Sequence, residues 1–334
     1  MIALGIDISK LNFDAALLDT STGKDSGKPR HRAFPNTPAG FQRLQEWLGE
    51  AKVHACLEAT NTYGDALARF LHENGHTVSV VNPAQVKAHA TALATRAKTD
   101  KADAALIARF CLMHRPEPWT PPLPEVAQLQ ALVRRLEALQ EMRQMEMNRL
   151  DTSGPIVREE IAEHVAFLET QIAKTEKAVA DHIDQNPTLR QNSDLLESVP
   201  GIGGATAAVI LAEIGDARQF ASARQVAAFA GLDPRVRQSG TSVRGRSRLS
   251  KAGSPRLRRA LYFPAMAAMR FNPAVAALRQ RLLLAGKPGK LIVGAAMRKL
   301  LAIAFGVLKS GRPFDPAHGL NPNQKIVPNQ AFTA

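Results

Sequence analysis

Five of the ten residues from Arg115 to Pro124 are proline, and the hydrophobic rhythm of the chain differs on the two sides of that run. Proline fixes its own φ, donates no amide hydrogen and steers the residue before it away from the helical region. Regular structure therefore stops here, and a domain edge is expected. On the N-terminal side the apolar runs are short. Residues 2–8 (IALGIDI) and 13–18 (FDAALL), separated by the polar Ser9, Lys10 and Asn12, read as a hairpin. A helix is expected from Pro38, a strand over 53–58, a helix over 62–74 stopped by Gly75, a strand over 77–81, and a helix opening at Pro83. A hairpin followed by strands alternating with helices predicts an α/β domain with a mixed sheet.

On the C-terminal side the apolar residues fall by threes and fours. Leu129, Leu132, Val133, Leu136, Leu139 and Met142 form one stripe. After Gly154 and Pro155, a second stripe runs through Ile161, Val165, Leu168, Ile172, Ala173, Val179 and Ile183 to about Asn186. Two long helices with narrow stripes predict a helical hairpin, either an internal arm or a seam for another subunit. Beyond Pro200 the chain reads as helical and punctuated by glycine, and from Pro313 onward as a loose polar tail.

Charge is as unevenly spread as hydrophobicity. The 334 residues carry a net +13, yet residues 231–334 hold 19 basic residues against two acids, Asp233 and Asp315. The first 230 hold 24 basic and 28 acidic residues. Nine bases and no acid lie between Arg235 and Arg259. Basic charge gathered in one region predicts a polyanionic partner, the alternative being a solvated basic face. Cys56 and Cys111, with no CxxC pair, exclude a disulfide framework and a thiolate zinc site, and suit a reducing cytoplasm. The N-terminus lacks the pattern of a signal peptide, and Arg298 and Lys299 interrupt the apolar stretch from Leu291 to Leu308. A soluble, cytoplasmic chain with no membrane partner is expected.

Four carboxylates stand where chemistry could use them. Asp7 ends the first apolar run and Glu58 ends another, where burial asks for a cationic neighbour. Asp100 and Asp103 open a helix three residues apart, on one face. Taken singly, each suits a cap or an ion pair, Asp100 beside Thr99 being a reasonable N-cap. Taken together, they form an all-oxygen set suited to Mg²⁺. Two such ions about 3.5–4 Å apart stabilise the attacking and leaving oxygens of phosphodiester chemistry. His72 to His76 spells HExxH, but Gly75 breaks the helix that a zinc protease motif needs.

Ser198 to Gly204 (SVPGIGG) separates two helical stretches in the pattern of a helix-hairpin-helix. Gly201 and Gly203 there would let backbone amides approach a phosphate, unless the segment is simply a tight turn. Downstream, Ser239 lies in a loop rich in glycine, hydroxyl and arginine residues. With Arg244, Arg246, Arg248 and the following Lys251 it reads first as a phosphate-contacting loop and second as the seat of a nucleophilic hydroxyl.

These residues resemble a known family, the DEDD-type insertion-sequence transposases, serine-bearing recombinases guided by a bridge RNA. The resemblance covers nearly the whole chain. It rests on GIDISK around Asp7, CLEATNTYG around Glu58, VNPAQVKAHA, KTDKADA around Asp100 and Asp103, SVPGIGGATAAVILAEIG, and AFAGLDPRVRQSGTSVRGRSRLSKAGSPRLRRALYFPA. It implies a RuvC-like domain of the RNase H fold over 1–118 and a coiled-coil helical hairpin over 119–190. A mainly helical transposase domain over 191–316 and a loose tail over 317–334 would follow. It implies that Asp7, Glu58, Asp100 and Asp103 bind Mg²⁺, as two ions, and that Ser239 of the Q-S-G triplet attacks DNA to form a phosphoserine that a 3′-hydroxyl later reverses. The implied partners are donor and target DNA, a structured bridge RNA, and further copies of the chain, dimers assembling to a tetramer that builds the site from different subunits. Two other classes stay open: a RuvC-like nuclease that attacks branched DNA with water and has no need of Ser239, and a non-catalytic nucleic-acid-binding protein.

Overall fold

The computed structural model describes residues 1–20, 29–59, 62–93, 99–235, 238–239, 243–244 and 248–317. The chain divides into two compact units, Met1–Pro121 and Pro122–Ala334, with the boundary inside the proline run.

The first unit is built on a five-stranded mixed sheet of order β3-β2-β1-β4-β5. Strand β1 (Ile2–Ile8) pairs antiparallel with β2 (Asn12–Asp19), which pairs antiparallel with β3 (Arg30–Pro35). On its other side β1 runs parallel to β4 (His54–Glu58), and β4 parallel to β5 (Thr77–Val81). The hairpin and the alternating strands follow the apolar runs. Strand β3 was not expected, because RHRAFP has little apolar content; it is an edge strand that buries only Phe34 among its six residues. Helices α1 (Pro38–Leu48), α2 (Asp65–Glu73) and α3 (Pro83–Ala92) open where the prolines and glycines predicted, to within a few residues. Helix α4 (Asp100–His114) completes the unit.

Both faces of the sheet are buried. Leu4, Ile6, Phe13 and Leu57 pack with Phe41 and Leu44 of α1 and Leu67 and Leu71 of α2. The opposite face packs on α4: Ala3, Cys56 and Val81 with Leu106, Ile107 and Phe110, and Ala16 and Leu18 with Ala104 and Ala108. Gly5 lets α4 approach this closely. A Cβ there would lie 2.1 Å from Ala108 N and 2.2 Å from Ala104 O, and backbone cannot yield as a side chain can. The HExxH segment splits as expected: α2 ends at Glu73, β5 starts at Thr77, and His76 is buried with Nε2 2.9 Å from Gln45 Oε1.

The second unit begins with α5 (Pro124–Thr152) and α6 (Pro155–Gln185), joined across Ser153 and Gly154. They run antiparallel, as their contacts require: Arg143 pairs with Glu169 at 2.8 Å, and His182 Nε2 lies 2.8 Å from the Glu125 carbonyl oxygen. At the base of this hairpin Val126, Leu129, Val133, Val179 and Ile183 enter the core of the unit. That core is made with α7 (Pro187–Glu197), α8 (Gly204–Ile214), α9 (Ala223–Phe229), α10 (Pro255–Ala260), α11 (Tyr262–Phe271), α12 (Pro273–Leu284) and α13 (Gly289–Ser310). By length and composition α13 is apolar enough to cross a membrane, despite Arg298 and Lys299. Half of its most apolar window is buried in the unit, with Ala296, Leu300, Leu301 and Ala304 among the core residues, so it reads as a core helix.

Between α9 and α10, where a loop was expected, the chain forms two nested antiparallel pairs. Strand β6 (Pro234–Arg235) pairs with β9 (Arg248–Leu249), and inside them β7 (Gln238–Ser239) pairs with β8 (Val243–Arg244).

Candidate active site

Strand direction brings the first two acids together. Because β1 and β4 are parallel and Ile6 is in register with Leu57, Asp7 and Glu58 occupy the next step at the same end of the sheet. The N-terminus of α4 comes to that end, since α4 is seated on β1 at Gly5. Its first turn carries Asp100 and Asp103. The cap is Thr99, whose hydroxyl accepts from Ala102 N at 3.2 Å, so Asp100 is not needed as the capping residue.

The electrostatics show the convergence. Asp7 is half-buried, and its carboxyl is pushed up from 3.8 to about 6, first by burial and then by the charges of Asp103, Asp100, Glu58 and Asp14. The other three sequence-predicted acids thus all act on Asp7. Asp14 was missed. It sits directly opposite Asp7 on β2 and its Oδ1 lies 2.5 Å from His31 Nε2, both side chains being about four-fifths buried. An acid inside the apolar run FDAALL was the available signal. Ser9, Asn12, Asp14 and Asp100 line a cavity of about 340 Å³ beside these acids.

Among the described residues no three His, Cys, Asp or Glu side chains are drawn close enough to hold an ion as they stand. The donor chemistry nonetheless fits a hard divalent cation: the donors are oxygen only, and Asp7, partly buried, feels the negative charges of the other three. Asp7, Glu58, Asp100 and Asp103 could supply the oxygens for one.

In the second unit, Ser239 lies in β7 opposite Val243, and Gln238 is opposite Arg244 of β8. Arg246 is outside the described residues. Arg248 is exposed in β9, and Lys251, also exposed, adopts a left-handed φ of 56° while its amide donates to the Gly231 carbonyl at 3.1 Å.

The two glycines of the PGIG turn part company. Gly201 has φ +104°, and a Cβ there would come within 2.8 Å of Ala268 Cβ and 2.9 Å of the Pro264 oxygen, so this glycine lets the turn pack on α11. Gly203 caps α8 in an extended conformation with open space around it. The Glu197 carboxylate lies 3.8 Å from a Cβ built on Gly204, so a negative charge already stands near the start of α8.

The transposase model of the IS116/IS110/IS902 family matches residues 193–280, and a second transposase model, of the DEDD type of IS110, matches residues 4–153. The pilin gene-inverting protein of Moraxella bovis is 34% identical over 318 residues, 93% of this chain and 97% of that one. Its counterpart from Moraxella lacunata is 33% identical over the same shares. The transposase of insertion sequence element IS1111A from Coxiella burnetii is 34% identical over 108 residues, 31% of this chain and 29% of that one. With a family match on each unit and full-length relatives at this identity, the chain belongs to the IS110-type transposase family and is a DNA transposase/recombinase.

Proposed function

We propose that the chain cuts and rejoins DNA through a covalent bond to Ser239, with Asp7, Glu58, Asp100 and Asp103 holding two Mg²⁺ ions. The Ser239 hydroxyl attacks phosphorus: a P–Oγ bond forms, the P–O3′ bond breaks, the hydroxyl proton leaves and the 3′-oxygen gains one. The 3′-hydroxyl of a new partner strand reverses the step, so the energy of the phosphodiester is kept in the phosphoserine. Bound divalent ions would stabilise negative charge on the reacting oxygens. The acids would position those ions, and Arg244, Arg246, Arg248 and Lys251 would neutralise phosphates beside the serine.

The observation that carries this reading is the charge that Glu58, Asp100 and Asp103 exert on Asp7 at one sheet end, on a strand order and helix placement compatible with a RuvC-like RNase H fold. Residues 1–118 would be that domain, 119–190 the coiled-coil arm, 191–316 the transposase domain and 317–334 the tail. Full-length relatives named for inverting a gene favour rejoining over hydrolysis, and so favour the serine over a water-using nuclease. The basic region supports a structured RNA that guides the choice of donor and target DNA, bound by shape and phosphates. The α5–α6 hairpin, with Met142, Met145, Ile156 and Phe167 exposed, supports assembly into dimers and then a tetramer.

Sequencing the nucleic acid that co-purifies with the protein tests the guide. A recurrent structured RNA is expected; random fragments would remove the guide from the reading. Cleavage assays of the four acid-to-amide variants test the metal site.

A further inference from the structure

Helix α11 buries one side and leaves the other bare. Ala265 and Ala268 are fully buried, whereas Tyr262, Phe263 and Met266 are exposed, Phe263 at 75%. At about 100° per residue, these three and the exposed Arg270 fall within roughly 100° of arc, a single continuous stripe. The Tyr262 and Phe263 rings are locked edge-to-face, centroids 5.3 Å apart and planes at 87°. Glu137 and Glu141 of α5 hold Arg259 at the edge of the stripe, at 2.6 and 2.7 Å. An apolar stripe this exposed on an ordered helix marks an interaction surface.

Charge selects the occupant. No acid lies between Asp233 and Asp315, an interval that carries 18 basic residues. A second copy laid face to face would bring like charges together, since such an interface sets the same patch against itself. A polyanion meets Arg270 on the stripe, while Glu137 and Glu141 at its edge are already paired with Arg259. A duplex hides its base faces, whereas an unpaired strand offers them for stacking on aromatic rings while arginine takes its phosphates. The nucleic acid that this family acts on is DNA.

We infer that the Tyr262–Arg270 face of α11 is a stacking platform for an unpaired DNA strand, with Phe263 as its principal ring and Arg270 on the backbone. Such a strand arises whenever a transposase opens its substrate, and the inference holds whichever residue makes the cut.

The test uses the full chain without metal, so that no cleavage intervenes. Fluorescence anisotropy would compare a labelled oligothymidylate with an oligouridylate and a DNA duplex of the same length. Phe263→Ala should weaken oligothymidylate binding about tenfold, the size of one lost base stack. Duplex binding should change by less than about twofold. Phe263→Trp should restore the affinity, and its emission should be quenched by the strand. The side chain is three-quarters exposed, so both variants should fold, which thermal melting checks. Unchanged oligothymidylate affinity, or an equal loss for strand and duplex, overturns the inference. So does a fall in the mass of the DNA-free protein in sedimentation, which would make the face a contact between copies. A loss confined to oligouridylate would assign it to RNA and overturn it as well.

Discussion

The acid end of the first unit and the basic ribbon of the second are built in opposite ways. The acids stand on the ends of paired strands and on a capped helix, over a floor of residues such as Ala3, Ile6, Leu57, Ala104 and Ala108 that solvent barely reaches. Ser239 stands on a strand of two residues, nested in another pair as short. Repulsive charges need a rigid frame, because left free they would separate; a basic ribbon of the proposed kind would have the polyanion itself as counter-charge. The comparison teaches that the acids are held in place by the fold, whereas on the proposed reading the serine's surroundings are completed by what binds them.

The largest break in that comparison is expected from removing a carboxylate. Asp7→Asn, Glu58→Gln, Asp100→Asn or Asp103→Asn should each lower cleavage by more than about 100-fold, the range already seen for residues that only support metal ligands. DNA binding at equilibrium should stay within a few fold, because the basic region supplies it. Four variants that cut at the wild-type rate would remove the acids from the reaction.

Next comes the frame. Gly5→Ala drives a methyl group into the backbone of α4, and should cost about 3 kcal/mol in urea unfolding, the upper end for overpacking, with loss of cleavage even though no acid is touched. Gly203→Ala, with open space at its Cβ, should change stability by less than about 0.5 kcal/mol. Equal costs for the two would mean that the close seating of α4 on β1 does not govern the stability of the frame.

The pH dependence of stability separates the halves further. The folded state holds Asp7's proton more tightly than the unfolded chain, with values of about 6 against 3.8. Between these values the native state binds the extra proton, so metal-free stability should fall as pH rises from about 4 to about 6. Asp7→Asn should flatten that slope and stabilise the metal-free protein above pH 6 while abolishing cleavage. Divalent-ion binding, which competes with the proton, should tighten over the same interval. A wild-type slope retained in Asp7→Asn would place the titration elsewhere.

A smaller effect is expected from the ribbon. Replacing Arg244, Arg246 and Arg248 together by glutamine should flatten the log–log salt dependence of DNA binding by about 2–3, near one per lost phosphate contact, with little change in melting temperature.

The acid half was more legible in the sequence than the serine half, and for the same physical reason. Apolar runs ending in Asp7 and Glu58, Thr99 at a helix start, and proline at the openings of α1 and α3 are signals that burial and capping impose locally. Asp14, an acid inside an apolar run, left a signal, but its place opposite Asp7 is decided by strand register, which composition does not give. Strand β3 escaped because an edge strand with exposed alternate residues needs few apolar side chains. The two-residue strands around Ser239 lack the length over which alternation can be read. Gly201 read as a phosphate contact from its motif, whereas its packing on α11 depends on a helix more than 60 residues away.

The central claim, that acids of the first unit and a serine of the second make one reaction, is tested most directly by trapping the covalent intermediate. Metal-supplied protein and end-labelled target DNA would be resolved on a denaturing gel, with Ser239→Ala, Ser242→Ala and Asp7→Asn beside the wild type. The account predicts a shifted, protease-sensitive band for the wild type and Ser242→Ala, and none for Ser239→Ala or Asp7→Asn. A band that persists in Ser239→Ala would name another nucleophile, and wild-type cleavage with no band at all would contradict the covalent route.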